Sequence, residues 1–317
     1  MAASQVDVVG VGLNATDTII RIPHFPSHDS KIEFESAVVL AGGQVASAMT
    51  ACQYWGLRAR YIGKAGDDAA GEFQRRELDR AGVESHLLAV PGCTSQVAYI
   101  LVDQASGERT ILWKREARLT IRPEELRREW ITSARALLVD GHDTAAAATA
   151  ARWAREAGIP VVLDVDNLYD GIEDLLAHVD YLIASRDFPP RLSGEPDLRK
   201  SLPAIASKYG CRVAGATLGR EGVLTWAADA FCYVPAYRVQ TVDTTGAGDI
   251  FHGAFTFGVV QGWELARTLD FSCAAAALNC TALGARGGIK PLAEIERLRR
   301  EGLRHDGIER FRDWAIS

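Results

Sequence analysis

The chain has 317 residues, of which 48% are hydrophobic and 24% are charged, a composition typical of globular proteins. The formal net charge is −6 and no dense Lys/Arg run occurs, which argues against a nucleic-acid-binding surface because phosphate binding requires clustered cations. The six cysteines are scattered without a Cys-X-X-Cys pair, so neither a disulfide framework nor a zinc site is predicted.

Short apolar runs alternate with helix-length amphipathic segments, the pattern of a parallel sheet covered by helices on both faces. The strand candidates are Val6–Val11, Arg60–Lys64, Ala136–Asp140, Val161–Asp164, Tyr181–Ala184, Val213–Leu218 and Gly222–Trp226. The helix candidates are Gln44–Trp55, Ala70–Ala81, Asp143–Ala157, Ala247–Gln261 and Glu264–Leu283. No linker or internal repeat divides the chain, so we predict a single α/β domain over residues 1–317. The early first strand leaves no room for a signal peptide and no apolar stretch reaches membrane length, so we expect a cytoplasmic protein without a membrane partner.

Two stretches, Ile19–Leu40 and Ser95–Lys114, interrupt this rhythm with the alternation of β-strands, as in Lys31–Glu35 and Gln96–Ile100. A polar turn at Gln104–Gly107 divides the second stretch. Antiparallel strands inserted into a parallel fold predict a small separate sheet, which is either a lid over a site or a pair of edge hairpins with no moving role. Exposed lid strands also predict a homodimer that pairs through the lid.

The segment Gly246-Ala247-Gly248-Asp249 precedes the apolar, helix-length run Ile250–Val260. Small residues at a helix start let the backbone approach a ligand, and the unpaired N–H groups there attract anions. Asp249 is either an ordinary first-turn carboxylate that satisfies the helix dipole or a base that takes the proton of an alcohol attacking a phosphoryl group. The pattern favours the second interpretation, since a base beside an anion cradle has a clear chemical use.

The run Asp243–Asp249 resembles the C-terminal signature DTxGAGD of the pfkB, or ribokinase-like, family of carbohydrate kinases. Ala41–Ala48 and Gly63–Gly71 resemble the N-terminal signature of the same family, and the resemblance extends from Gly10 to about Pro291. It implies a doubly wound, mostly parallel α/β sheet with a small β-sheet lid. It also implies ATP and Mg²⁺ as cofactors and a small-molecule sugar as the acceptor.

The resemblance assigns roles to individual residues. It implies that Asp249 deprotonates the sugar hydroxyl, that the transferred phosphoryl group lies in an anion hole, and that Asp17 grips sugar hydroxyls. The anion hole comprises Gly246, Ala247 and Gly248. The remaining implied sugar contacts are Asn14, Gly43, Gln44, Ser47 and His142. The implied nucleotide contacts are Thr217, Gly219, Gly222, Cys273 and Ala276. The loops implied to hold a monovalent cation such as K⁺ contain Asp243, Thr245, Gly284 and Gly288.

Two departures from the family pattern stand out. Ser47 occupies a position where the family usually has Asn, which weakens the case for ribose as the substrate. The family's NxxE element, tied to Mg²⁺, falls on Ser185–Phe188, where neither the Asn nor the Glu is present. Asp187 is the candidate to hold Mg²⁺ there through a bound water, since ATP still needs its charge neutralised.

Two other functions fit parts of the sequence. Gly10–Ala15 fits the dinucleotide pattern GxGxxA, but the β-rich residues that follow are incompatible with the helix that pattern requires. A catalytically inactive sugar sensor, or a nucleoside kinase of the same family, remains an alternative. For the acceptor, the run Gly107–Ile111 resembles the lid of ketohexose kinases among others, so a ketohexose-like sugar is the first choice. A ribose-type pentose, a deoxy keto acid sugar and a nucleoside follow.

Overall fold

The computed structural model describes residues 5–104 and 109–315. The strands are β1 (Val8–Val11), β2 (Ala15–Ile22), β3 (Ser36–Gly42), β4 (Ala59–Gly66), β5 (Glu84–Val90), β6 (Val97–Asp103), β7 (Arg109–Lys114), β8 (Ala136–Asp140), β9 (Val161–Val165), β10 (Tyr181–Ser185), β11 (Val213–Thr217), β12 (Val223–Ala227) and β13 (Ala230–Val234). The α-helices are α1 (Gln44–Tyr54), α2 (Ala69–Arg80), α3 (Arg128–Thr132), α4 (Thr144–Glu156), α5 (Ile172–Leu176), α6 (Phe188–Ser193), α7 (Leu198–Tyr209), α8 (Ala247–Val260), α9 (Leu265–Asn279) and α10 (Leu292–Glu301). Among the described residues, none of these helices is long and apolar enough to cross a membrane.

Nine strands form the main sheet in the order β13-β12-β11-β10-β9-β8-β1-β4-β5. The strands from β11 to β5 run parallel, while β12 and β13 are antiparallel at one edge. The interior strand β1 is wholly buried and pairs with β4 on one side and β8 on the other. Helices cover both faces of the sheet, which gives two separate cores. The predicted α/β fold class, a mostly parallel sheet covered by helices with a separate small sheet, is confirmed.

Each predicted strand outside the two interrupting stretches falls on a strand of the main sheet, within two residues at either end. The predicted helices are also present, but the last one stops at Asn279, four residues before Leu283. The Asn279 side chain donates to the carbonyl oxygens of Thr245 and Ala285, both at 3.2 Å. The chain therefore turns back across the start of α8 where the apolar pattern predicted further helix.

The interrupting stretches form a separate sheet in the order β3-β2-β6-β7. Its outer pairs are antiparallel as predicted, but β2 and β6 run parallel, which the sequence pattern did not indicate. The predicted strand at Lys31–Glu35 is wrong, since β3 begins at Ser36. β2 ends at Ile22, so the alternating residues before Ser36 have no neighbouring strand with which to pair. Of the predicted turn and lid run, Ala105–Glu108 lie outside the described residues.

The small sheet has two different faces. Its inner face carries a compact cluster of buried apolar residues, Ile19, Ala98, Ile100 and Val102. Leu283, from the segment after α9, packs against this cluster and ties the small sheet to the main body. On the outer face, Val39, Tyr99 and Leu112 lie in one row across the strands and are all exposed.

Candidate active site

The glycine-rich segment opens α8 with a sharp turn. Gly246 is the residue before the helix and has a left-handed conformation with φ 73°, which favours glycine. A methyl group at Gly246 would overlap the backbone of Ala285, so the two segments are in direct contact. Nothing lies within 4 Å of the position that a Gly248 side chain would occupy, so the first turn of the helix faces open space. The sequence predicted this helix N-terminus as an anion cradle, and its geometry is suitable for one.

Asp249 lies in the first turn of α8 beside these N–H groups. Burial raises the pKa of its carboxyl to about 7, and the charge of Asp164 acts in the same direction. The charge of His252 lowers the pKa of Asp249, that of Asp17 raises it, and that of Arg286 lowers it. A carboxyl with a pKa near neutrality is suited to accept a proton and release it within one catalytic cycle.

His252 lies one turn further along α8 and is buried. Its Nδ1 lies 2.8 Å from the carbonyl oxygen of Gly248, and its Nε2 lies 2.7 Å from that of Ile183. Carbonyl oxygens only accept, so this arrangement favours a proton on both ring nitrogens. Burial lowers the pKa of His252, while the two carbonyl acceptors and Asp249 act against that shift. Asp164 Oδ2 lies 3.2 Å from Nδ1, and burial raises the pKa of the Asp164 carboxyl well above its usual range.

Asp17 lies on β2, where the small sheet meets the main body. Its carboxylate packs directly on the Cα of Gly42, where any side chain would overlap Oδ2. Burial raises the pKa of Asp17 to about 6, with the cation of Arg286 lowering it and Asp243 raising it. No hydrogen bond to this carboxylate is formed by the described residues, so its oxygens are free to accept from a ligand.

Arg286 lies near enough to act on the pKa of both carboxylates and belongs to the segment that packs against Gly246. Its Nη2 donates to the carbonyl oxygen of Gly42 at 2.9 Å, and its Nε to Ser47 Oγ at 3.2 Å. Burial lowers the pKa of the guanidinium to about 10, and Asp17 and Asp249 act against this. The site thus combines two carboxylates and one cation, contributed by distant parts of the chain.

The predicted sugar loop is assembled around Asn14. The Asn14 side chain accepts from Tyr61 Oη at 2.6 Å and donates to Gln74, so its amide is largely engaged by the protein. Gly43 has φ 91° and packs on the Asn14 backbone, leaving no room for a side chain. At the start of α1, Gln44 has an enclosed carbonyl oxygen without a hydrogen-bond partner among the described residues. An enclosed acceptor of this kind is suited to a hydroxyl donor from a ligand.

His142 was the other predicted sugar contact. Its Nε2 lies 2.9 Å from Tyr169 Oη, which itself donates to Asp166, so this nitrogen must be the donor. Burial opposes charge on the ring, but the adjacent Asp140 carboxylate outweighs it and raises the pKa of His142. The structure therefore connects His142 mainly to protein groups, and its sugar contact stays a prediction.

The five predicted nucleotide residues share one cavity of about 400 Å³. Thr217, Gly219 and Gly222 line one side, and Cys273 and Ala276 of α9 line another. The same cavity reaches the first turn of α8, where the sequence predicted the anion hole. Its size lies within the usual range for small-molecule sites. On the small sheet, Arg109 also borders it and contacts the Thr244 side chain.

The four residues predicted near a monovalent cation are held together by the side chains of Asp243 and Asn279. Its Oδ1 accepts from the backbone N–H of Thr245 at 2.8 Å, and its Oδ2 from that of Gly284 at 2.8 Å. Gly288 donates to the side chain of Asn279, which also binds Thr245. The Asp243 carboxylate thus acts as a clamp between the loops, and any cation would be held by backbone carbonyl oxygens.

Asp187, the candidate for Mg²⁺, precedes α6 and is exposed. The neighbouring Arg186 donates to the carbonyl oxygen of Leu218 at 3.0 Å, which places this segment beside the nucleotide turn. The Asp187 carboxylate forms no hydrogen bond or ion pair with the described residues, so both oxygens are available. An unpaired carboxylate at this end fits contact with a hydrated Mg²⁺.

The sequence reasoning did not identify Arg286, His252 or Asp164. Each lies beside a motif that it did identify. Arg286 is a lone cation in the run Gly284-Ala285-Arg286-Gly287-Gly288, and His252 follows Asp249 by three residues, on the same helix face. Asp164 ends an otherwise apolar strand candidate, the position where parallel sheets carry ligand-binding residues.

Comparison with known proteins gives the family context. The family described as pfkB family carbohydrate kinase matches residues 6–291. An ATP-dependent ribose-1-phosphate kinase from Halopiger xanaduensis is 28% identical over 286 residues, covering 89% of this chain and 94% of that protein. The crystal structure of a putative ribokinase from Agrobacterium tumefaciens superposes with a TM-score of 0.88 at 29% identity, covering 94% of this chain and 98% of that one. A putative ribokinase II from E. coli in complex with ATP and Mg²⁺ shares the fold, with a TM-score of 0.81 at 20% identity and coverage of 94% and 99%. Since the family match spans nearly the whole chain, this protein belongs to the pfkB family of carbohydrate kinases and is a phosphotransferase.

Proposed function

We propose that this kinase transfers the γ-phosphoryl group of ATP to a primary hydroxyl of a sugar, with Asp249 as the general base. The observation that carries the proposal is the position of Asp249. It is a carboxylate with a pKa near neutrality, in the first turn of a helix whose N–H groups border the nucleotide cavity. A carboxylate that only satisfied the helix dipole would not need an open anion-binding helix end beside it.

The proposed reaction uses the chain's own groups in sequence. Asp17 orients the acceptor by taking hydrogen bonds from its hydroxyls, and Asp249 takes the proton of the attacking hydroxyl. The N–H groups at the start of α8, in the segment Gly246–Gly248, stabilise the charge on the transferred phosphoryl group. When bound, Mg²⁺ supplies neutralisation of the phosphate charge, and Asp187 would hold it through water. Carbonyl groups near Thr245 and Gly284 would hold K⁺.

For the acceptor, we propose a ribose-type sugar ahead of a ketohexose. The ketohexose-like first choice rested on the lid run Gly107–Ile111, of which Gly107 and Glu108 lie outside the described residues. The Halopiger relative, by its name, acts on ribose 1-phosphate, and the Agrobacterium structure is named a putative ribokinase. A nucleoside remains a weaker candidate, since no contact in the described residues favours a base at the acceptor side.

We also propose that the small sheet acts as a lid and that two copies pair through it. The contact between Arg109 and Thr244 supports the first part, because it joins the sheet to the anion-binding loop. The exposed apolar residues Val39, Tyr99 and Leu112 support the second part, since exposed apolar side chains gathered on one sheet face favour burial by a partner.

The test is a screen of acceptor sugars with ATP and Mg²⁺, measuring ADP release and the mass of the product. A product heavier by one phosphoryl group, formed at a rate that depends on Asp249, supports the proposal. Binding of a sugar and ATP without any turnover would instead identify a sensor.

A further inference from the structure

The surroundings of Arg286 differ from those of two other enclosed arginines. The side chains of Arg60, which is buried, and Arg115, which is partly buried, each lie within 2.8 Å of a carboxylate, that of Glu84 and that of Asp143 respectively. Arg286 is partly buried and forms no ion pair within residues 5–104 and 109–315. A partly buried cation without a paired anion is energetically unfavourable, so its retention at a ligand site calls for an explanation.

The guanidinium of Arg286 also has unused donors. Of its five N–H groups, one binds the carbonyl oxygen of Gly42 and one binds Ser47 Oγ. In the described part of the chain, the other three have no partner. Both occupied acceptors are neutral, and both belong to the loop that borders the acceptor site.

The neighbouring groups indicate which kind of ligand would pair with the free N–H groups of Arg286. Asp17 and Asp249 accept hydrogen bonds, so they can bind the hydroxyl groups of the acceptor. They have no proton to donate to an anionic group, which leaves Arg286 as its partner. Arg286 lies close enough for both carboxylates to act on its pKa. The hydroxyl oxygens of a neutral sugar could accept from its three free N–H groups but would leave the cation without a counter-charge, whereas a phosphate or carboxylate would match both the charge and the fork of the guanidinium in a bidentate pair.

We propose that Arg286 binds an anionic group on the acceptor, so that the preferred substrate is a sugar phosphate or a sugar acid with a free primary hydroxyl. This inference rests on the proposed function, because it concerns the acceptor half of the same site. Ser47 contributes room, since its short side chain lies beside the guanidinium where the related kinases usually carry the longer Asn.

A purely structural role for Arg286 makes a different prediction. If the residue only clamps Gly42 to Ser47, its loss would disturb the loop for every acceptor in equal measure. If it binds an anionic group, its loss would affect charged acceptors far more than neutral ones. The selectivity between acceptors therefore separates the two roles.

The experiment measures kcat/KM for ribose, for ribose 1-phosphate and for 2-keto-3-deoxygluconate, which carry no charge, a phosphate and a carboxylate. We expect the wild-type protein to prefer one charged acceptor over ribose by at least about tenfold, and the better one identifies the anionic group. Arg286→Gln should lower that preference by roughly 10- to 150-fold, the usual effect of losing a hydrogen bond to a charged group. Arg286→Lys keeps the charge but not the forked geometry of the guanidinium, so its preference for the charged acceptor should lie between those of the wild type and Arg286→Gln. Arg199→Gln on the exposed first turn of α7 is the matched control and should leave the preference unchanged.

Calorimetric binding of the same three acceptors, with a non-hydrolysable ATP analogue present, keeps the test independent of turnover, and the melting temperature shows whether each variant is folded. A wild-type protein that binds ribose as tightly as both anions overturns the inference, as does an Arg286→Gln variant that weakens all three acceptors alike. Absence of ADP release with every acceptor would count against the proposed function instead, while the binding preference would still decide the role of Arg286.

Discussion

The carboxylate of Asp17 lies directly on the Cα of Gly42, although one residue belongs to β2 and the other to the end of β3. A methyl group at Gly42 would overlap Oδ2 and displace the carboxylate. The backbone of Gly42 does not have a positive φ, so the effect of Gly42→Ala would come from this overlap rather than from backbone strain.

We expect Gly42→Ala to raise the KM for the acceptor while leaving the KM for ATP nearly unchanged. Asp17→Ala should do the same by roughly 10- to 150-fold, or about 1.5–3 kcal/mol, since it removes a charged hydrogen-bond partner. Because both changes act on one carboxylate, the double variant should be little worse than Asp17→Ala alone. Fully multiplicative effects, or an equal loss of ATP affinity, would contradict this assignment.

Asp249→Asn keeps the shape of the side chain but removes the proton acceptor. We expect both substrates to bind while kcat falls by about 10²–10⁴, the usual contribution of a general base. A carboxylate that only satisfied the helix dipole would instead cost about 0.3–1 kcal/mol of stability with little change in turnover. The measurements are kcat and melting temperature, and a folded variant with near-wild-type kcat would remove Asp249 from the mechanism.

The pH dependence of kcat/KM should reflect the pKa of Asp249. A general base works only when deprotonated, so activity should rise with pH through about 7 rather than through the usual range of an aspartate. His252 lowers this pKa and Asp164 raises it, with smaller effects from Asp17 and Arg286. His252→Asn should therefore move the acid limb to higher pH, and Asp164→Asn to lower pH. Two shifts in the same direction would contradict this electrostatic account.

The nucleotide cavity can be tested from α9. Ala276 lines the cavity with a small side chain, so Ala276→Leu should obstruct it. We expect the KM for ATP to rise by roughly tenfold, in line with the ~1–3 kcal/mol that an added side chain commonly costs at a packed site, and the sugar KM to change little. Ala145→Leu on the exposed side of α4 is a control of equal size. A larger effect on the sugar than on ATP would reverse the assignment of the cavity.

The proposed dimer can be tested on the outer face of the small sheet. Tyr99 and Leu112 are directly opposite each other across β6 and β7, and both are about half exposed. Replacing Leu112 with Lys should yield monomers in sedimentation or light scattering. The protein should stay folded, because the exposed Leu112 side chain is not part of a hydrophobic core. A wild-type protein that is already monomeric at micromolar concentration would contradict the proposal.

The sequence was most informative where one local pattern decides the structure. The buried strand Ala136–Asp140 and the helix that starts at Ala247 were predictable from apolar runs and small residues alone. The error at Lys31–Glu35 arose because an alternating pattern specifies a strand only if a partner strand lies beside it, and β2 ends too early. Arg286 could not be assigned for a similar reason, since its contacts with Gly42 and Ser47 depend on tertiary packing between distant segments.

The contact between Arg286 and Gly42 spans 244 positions of the chain. At a synthesis rate of about 5–20 residues per second, the ribosome needs on the order of 10–50 s to make the residues between them. During that interval the acceptor loop exists without its cation and without the helix that carries Asp249. A nascent chain therefore cannot phosphorylate anything until nearly all of it has emerged, and the acceptor site is among the last parts of the protein to be completed.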